Sequence, residues 1–154
     1  MAQTTDSIWG GAASVGISVN GSSWTDIISH GMKVTPEGGD RRVGEAYVFD
    51  DENPIVKVGK LNSRSTRVDF VYTETATDAF EVVRAQFEAA GGGTMYVRWS
   101  PAGGGVGDAG YTSDAGFVSD LRYPDVDSEA DGPIVLFFVV HHAALTRALI
   151  ATAW

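Results

Sequence analysis

Three histidines, His30, His141 and His142, are the side chains best suited to bind a metal or carry a proton. His141 and His142 are adjacent in an apolar run that reads as a strand, so their side chains leave on opposite faces and cannot grip one ion together. Structural or surface histidines are expected. Acids cluster at Asp50-Asp51-Glu52 and at Asp125, Asp127, Glu129 and Asp131. The second cluster has the spaced acids of a calcium loop but lacks the glycine at the sixth position and the later glutamate, so solvated turns are expected. No G-x-S-x-G elbow is present, and no serine has an evident base and orienter. The glycine-rich stretch 101–114 (PAGGGVGDAGYTSD) is followed by no Gly-Lys-Ser/Thr and opens no helix, which argues against phosphate binding. Arg98 beside Trp99 could form a cation–π surface, although a strand with Trp99 on its buried face explains the pair as well. No catalytic residue, metal ligand or cofactor site is expected, and the chain does not read as an enzyme.

The elements that would hold these residues are mostly strands. Residues 64–74 alternate, with Val68, Phe70 and Tyr72 on one side and Arg67, Asp69 and Thr73 on the other, the period of a half-buried strand. Residues 78–90 switch to helical spacing, where Phe80, Val83 and Phe87 form one stripe. Asp78 and Glu81 are placed as a capping box, and Gly91-Gly92-Gly93 stops the helix. Residues 94–100 return to alternation, with Met95, Val97 and Trp99 on the apolar side.

Before this unit, residues 14–20 alternate, Asn20-Gly21 signals a hairpin, and 24–28 would be the return strand, followed by 30–35. Residues 36–53 combine turn formers, a weakly alternating 43–49 and a closing acidic DDEN, which predicts a long hairpin or extended loop projecting from the body. Residues 55–58 return to the sheet. After the unit, 101–114 reads as a loop, 115–123 as a strand, PDVDSEADG as an acidic turn, and 133–142 (PIVLFFVVHH) as a central strand covered on both faces. The tail, 143–154, fits a short helix or a bent continuation of the strand. The sum predicts a mainly β domain, a β-sandwich or flattened barrel of about eight to ten strands with one flanking helix.

Composition sets outer bounds. The 154 residues suit one domain, 1–154, with residues 1–12 reading as a terminal arm that carries Ile8 and Trp9. No apolar run approaches the roughly 18 residues of a membrane span, and the start has neither a basic nor an apolar leader segment. Cysteine is absent, which fits a reducing compartment. A net charge of −9 argues against binding DNA through its phosphates. It is compatible with solubility alone or with a surface that repels nucleic acid.

The order of segments from PIVKVGKLNSRSTRVDFVYTETATDAFEVVRAQFEAAGGGTMYVRWSP, through a glycine-rich loop and a strand ending YPDVD, to GPIVLFFVVHHAALTRALI resembles the tail tube (major tail) proteins of long non-contractile-tailed bacteriophages. GEAYVFDDENPIVKVGK is similar to the long loop between early strands in that family. The resemblance covers roughly residues 13–150, rests on element order, and brings no catalytic residues. It implies a virion structural protein located in the tail and assembled in the bacterial host cytoplasm, whose hexameric rings stack into a tube for genome delivery. Its partners would be further copies of itself, the tail terminator and distal tail or baseplate proteins. Tape measure protein and DNA would pass through the lumen without specific binding, and no membrane would be involved.

In that reading residues 1–12 and 36–53 reach the next ring. Ile8, Trp9, Tyr47, Val48 and Phe49 are the candidate contacts, since buried aromatics dominate interfaces. Glu45, Asp69 and Asp120 are candidate lumen acids. A tube subunit of a contractile tail or phage-derived injection machine is the nearest alternative. A small-ligand-binding β-barrel is the alternative from a different class.

Overall fold

The computed structural model describes residues 11, 13–50, 52–129 and 131–154. Among them the chain forms eleven strands and one helix. In chain order these are β1 (Ser14–Ser18), β2 (Thr25–Asp26), β3 (Gly31–Gly38), β4 (Arg41–Ala46), β5 (Ile55–Leu61), β6 (Arg64–Val71), α1 (Ala79–Phe87), β7 (Thr94–Ser100), β8 (Ala109–Ser113), β9 (Gly116–Leu121), β10 (Val135–His142) and β11 (Leu145–Leu149). All pairings are antiparallel.

Two sheets pack on each other and share β7. One runs β2-β1-β7-β8-β11, the other β3-β6-β10-β9, with β9 joined back to the start of β7. The sheets meet because two strand runs cross from one to the other. β8 pairs β11 and continues into β9, which pairs β10; β10 in turn continues into β11. Asp114 fixes this corner: its Oδ1 accepts the N–H groups of Ala143 and Ala144 at 3.1 and 3.0 Å. Strands that change sheet at a bend are the usual corners of such a sandwich.

Alternation decides which side is buried. Val68, Phe70, Leu136, Phe138 and Val140 from one sheet meet Val15, Ile17, Met95, Val97 and Trp99 from the other. Phe70 and Phe138 sit 5.7 Å apart at a tilt of 57°, and Trp99 stacks on Tyr111 at 5.6 Å. Helix α1 lies against β7 and β9, burying Ala79, Phe80 and Val83. Phe80 meets Tyr72 edge-on at 5.0 Å and Tyr123 at 6.0 Å. The mainly β sandwich with one flanking helix is therefore the observed fold.

Several local expectations need correction. The helix spans Ala79–Phe87, and Asp78 caps it only in position: its Oδ2 accepts from the Thr73 hydroxyl at 2.6 Å instead of from the helix. Glu81 does not complete a capping box, because it is paired with Arg84. The expected strand at 24–28 shrinks to Thr25–Asp26. The glycine-rich stretch is not all loop, since its end is β8. The tail is a strand, β11, followed by turns. β10 is central, between β6 and β9, but covered on one face only: Val135, Phe137, Val139 and His141 lie on the uncovered side and are half-buried or exposed.

The segment 31–71 is one long hairpin with a break in it. β3 and β6 belong to the body, whereas β4 and β5 pair only with each other. The break falls at Gly38 and Gly39, whose φ values of +75° and +76° suit glycine. A Cβ on Gly38 would lie 2.6 Å from the Ser63 carbonyl oxygen. Asn62 braces the break, donating to Asp40 Oδ2 at 3.0 Å and accepting from Arg42 Nε at 2.9 Å.

Candidate assembly surfaces

The uncovered face of the β3-β6-β10-β9 sheet interleaves charged and polar side chains with apolar ones such as Phe137 and Val139. Cross-strand register places Lys33 opposite Asp69, Thr35 opposite Arg67, and Glu37 opposite Ser65. The next rows bring Phe137 beside Asp69, and Val139 beside Arg67 and Asp120. Arg67 is the centre. Its Nη2 donates to Asp69 Oδ1 at 2.8 Å, and its guanidinium carbon lies over Phe137, 3.8 Å from the ring centroid. The hydrogen bond to Asp69 raises the Arg67 pKa above its ordinary value, with Asp69, Glu37 and Asp120 adding charge attraction. Glu37, Asp69 and Asp120 thus outnumber Lys33 and Arg67, so the face carries a small negative excess. Of the three candidate lumen acids, the fold brings Asp69 and Asp120 together here. Glu45 lies on β4, in the projecting hairpin.

The projecting hairpin is a surface of a different kind. Every residue of β4 is exposed, as is every residue of β5 except the half-buried Gly59. Val43, Val56 and Val58 share one of its faces by register, with no layer packed over them. At the tip, Tyr47 and Val48 are exposed, and Phe49 is fully extended into solvent at 113% of its reference area. A hairpin with apolar side chains on both faces gains little from water contact, and isolated two-stranded ribbons are marginal on their own. Ile8 and Trp9, the other candidate contacts, lie outside the described residues.

A third feature is a groove of about 430 Å³ at the opposite end of β3, where the two sheets gape. Val15, Ile28, Met32, Val34, Trp99 and Pro101 give it an apolar lining, with Lys33 as the charged group at its rim. Ile28 is 50% and Met32 59% exposed. No sequence pattern marks the groove, because its walls come from three separate segments, 11–15, 28–34 and 99–101.

Arg98 is held on the outer face of the first sheet. Its guanidinium sits 4.5 Å from the ring centroids of both Trp24 and Trp154. Burial between these rings pushes its pKa down, opposed by the charge of Asp26. The cation–π possibility at Arg98 is realised with these two tryptophans, while Trp99 points into the core.

The histidines have structural surroundings. His141 stacks on Phe117 at 5.9 Å on the uncovered face. His142 is buried on the other side, its Nδ1 donating to the Ala144 carbonyl and its Nε2 meeting the Thr66 hydroxyl, both at 2.9 Å. His30 sits at the helix start, where its Nε2 accepts from the Ala79 N–H at 3.4 Å, a long contact that the sequence did not indicate. Among the described residues no three His, Cys, Asp or Glu side chains converge on a metal-sized site. Among the described residues no helix is long and apolar enough to cross a membrane.

No protein-family profile and no curated protein sequence matches the chain. Solved structures do share its fold. A chain in the PVC sheath–tube complex of an extracellular contractile injection system superposes with a TM-score of 0.64 at 10% identity, covering 95% of this chain and 94% of that one. A chain in the anti-feeding prophage cap, which terminates the AFP tube, gives 0.64 at 13% identity, with 97% and 95% covered. A chain in the tail of an empty GTA particle, refined with C6 helical symmetry, gives 0.63 at 13% identity, with 92% and 98% covered. The chain therefore has, over almost its whole length, a fold found in phage-like tails and injection systems.

Proposed function

We propose that this chain is a tube subunit, which forms rings that stack into a hollow conduit. The observation that carries the reading is the end-to-end fold likeness to chains from three separate tail-like assemblies. The projecting hairpin supports it, since its exposed apolar side chains form a surface that a stack would cover, and so does the uncovered β10 face, which a ring would turn toward its channel. In this reading the polar face of β3-β6-β10-β9 lines the channel. Asp69 and Asp120 keep it from attracting phosphate, while Arg67 holds the wall's charge close to balance. Glu45 belongs with the hairpin that reaches the next ring, together with Tyr47, Val48 and Phe49. Ile8 and Trp9 would add to the same contact.

A six-fold ring follows the C6 symmetry of the GTA tail. Terminator and baseplate proteins would bound the tube, and cargo would slide through it unbound. Because a contractile injection system is among the assemblies that share the fold, a tube inside a contractile sheath stands level with the tube of a non-contractile tail. The reading as a small-ligand barrel is weaker, because the inward faces of the two sheets fill the space between them with side chains such as Phe70, Phe138 and Met95. Sedimentation over a concentration series tests the proposal. A tube subunit gives rings and longer species as concentration rises, whereas a ligand binder stays a single small particle.

A further inference from the structure

The Asn20-Gly21 pair marks the turn after β1 and has no part in the assembly surfaces above. It is also the dipeptide most open to deamidation. Asparagine is among the thermolabile residues, and a glycine nitrogen carries no side chain to hinder its attack on the asparagine amide carbon. The fold demands glycine here for a separate reason. Gly21 has a φ of +75°, and a Cβ on it would lie 3.1 Å from the Tyr96 ring. Packing therefore keeps in place the residue that makes Asn20 labile.

Both reacting groups are held apart from their reaction. The Gly21 N–H donates to Ser18 Oγ at 2.9 Å. Asn20 Oδ1 accepts from the Ser22 and Ser23 N–H groups at 2.9 and 2.8 Å, and from the Ser22 and Ser18 hydroxyls, each at 3.1 Å. These bonds draw the carboxamide toward residues 22 and 23 and the Gly21 N–H toward β1. Ser18 is 2% exposed and sits opposite Tyr96 in the ladder, so it is a fixed anchor. Asn20 is exposed, and water reaches it.

We propose that Asn20 is a latent deamidation site that the folded turn keeps closed, with Ser18 as the residue that closes it. When the turn opens, the Gly21 nitrogen bonds to Asn20 Cγ and the bond from Cγ to the side-chain nitrogen breaks. Ammonia leaves with the proton of the Gly21 N–H. Water then opens the succinimide, leaving aspartate or, through the other ring bond, isoaspartate at position 20. Either product adds a negative charge to the net −9. Isoaspartate also inserts a carbon into the main chain ahead of Trp24, whose ring lies 4.5 Å from the Arg98 guanidinium. Modification thus marks chains whose turn has opened, and it loosens the contact between Trp24 and Arg98.

Folded and urea-unfolded wild-type chains are incubated at mildly alkaline pH, and position 20 is followed by peptide mapping with isoaspartate detection. Deamidation should be at least about tenfold slower in the folded chain, because only the open fraction reacts. Exchange of the Gly21 amide proton should be slowed by a similar factor, since it needs the same opening. Ser18→Ala, with its folding checked by a melting curve, should raise the folded rate about tenfold. Ser22→Ala leaves the Gly21 N–H bond intact and should change that rate by less than about twofold. Should Ser18→Ala fail to fold, urea kept below the unfolding range opens the turn in the wild type, and deamidation should rise in step with Gly21 exchange. Equal rates in folded and unfolded chains, or a faster folded rate, would overturn the proposal. An unchanged rate in folded Ser18→Ala, or deamidation that does not follow Gly21 exchange, would overturn it as well.

Discussion

Arg67 covers the face of Phe137, with its guanidinium carbon 3.8 Å from the ring centroid. This contact lets a sheet face with an aromatic residue at its centre remain polar to its surroundings. The ring lends its electron-rich face to the cation, and the stem of the arginine shields the ring from water. Asp69 then fixes the guanidinium from the side.

Reversing that charge exposes the logic of the face. Arg67→Glu would place a fourth carboxylate beside Asp69, Glu37 and Asp120 and uncover Phe137. The isolated chain should fold normally, because these groups are at the surface. Assembly should become salt-dependent, weak at low ionic strength and recovering when the repulsion is screened. Sedimentation at two ionic strengths measures this. Assembly identical to wild type at both would separate this face from any closed wall.

Arg98 between Trp24 and Trp154 ties the end of the described chain to the first sheet. A planar guanidinium can lie against two rings at once where a compact ammonium cannot, so Arg98→Lys should behave almost like Arg98→Ala. Either Arg98→Ala or Trp154→Ala should cost about 1–2 kcal/mol in urea unfolding, from one or two cation–π contacts and the lost packing. A double-mutant cycle should show coupling above about 0.5 kcal/mol. Strict additivity would mean that the two residues act independently.

Thr66 and His142 form a hydrogen-bonded pair inside the sandwich, with Thr66 fully buried and His142 only 5% exposed. In the neutral ring Nδ1–H is committed to the Ala144 carbonyl, so Nε2 must accept from Thr66. Thr66→Val keeps the shape but strands that nitrogen. It should destabilise by about 1–3 kcal/mol, read from the shift of the denaturation midpoint. Thr66→Ser, which keeps the donor, should recover part of that loss.

Tyr123 donates to Glu88 at 2.7 Å and joins the start of the acidic turn to the end of α1. That hydrogen bond raises the phenol's pKa above its ordinary value near 10, with burial and the Glu88 charge adding to it. A group raised in the folded state contributes stability that is complete below its unfolded pKa and fades as pH climbs through the folded one. Thermal stability should therefore fall from about pH 10 upward. Tyr123→Phe should flatten part of that fall, the remainder belonging to Tyr72, whose pKa is raised by burial and by Glu74. An unchanged alkaline slope in Tyr123→Phe would place the effect elsewhere.

Where alternation or helical spacing was strong, the sequence was a sound guide to the fold. Phe70 and Trp99 face the core because each sits in a strand with clean period-two patterning, and Phe80 and Val83 do so on a helical stripe. β8 was hidden by its glycine. Gly110 leaves room for Trp154, whose ring would lie 2.6 Å from an added Cβ, so the residue that reads as loop is one that packing demands. β11 is exposed along most of its length and has no apolar rhythm to read. The apparent two-sided burial of β10 misled because Phe137 and Val139 are apolar without being covered by a second layer. For the candidate surfaces, Tyr47, Val48 and Phe49 were visible as aromatic and apolar residues in a turn-rich segment. The groove and the Arg98 clasp were not, since both join residues far apart in the chain.

Electron microscopy of the concentrated wild-type protein tests the central claim most directly. The account predicts stacked rings of uniform diameter with a central channel, lengthening as concentration rises. Discrete single particles at every concentration, with no channel and no stacking, would contradict it.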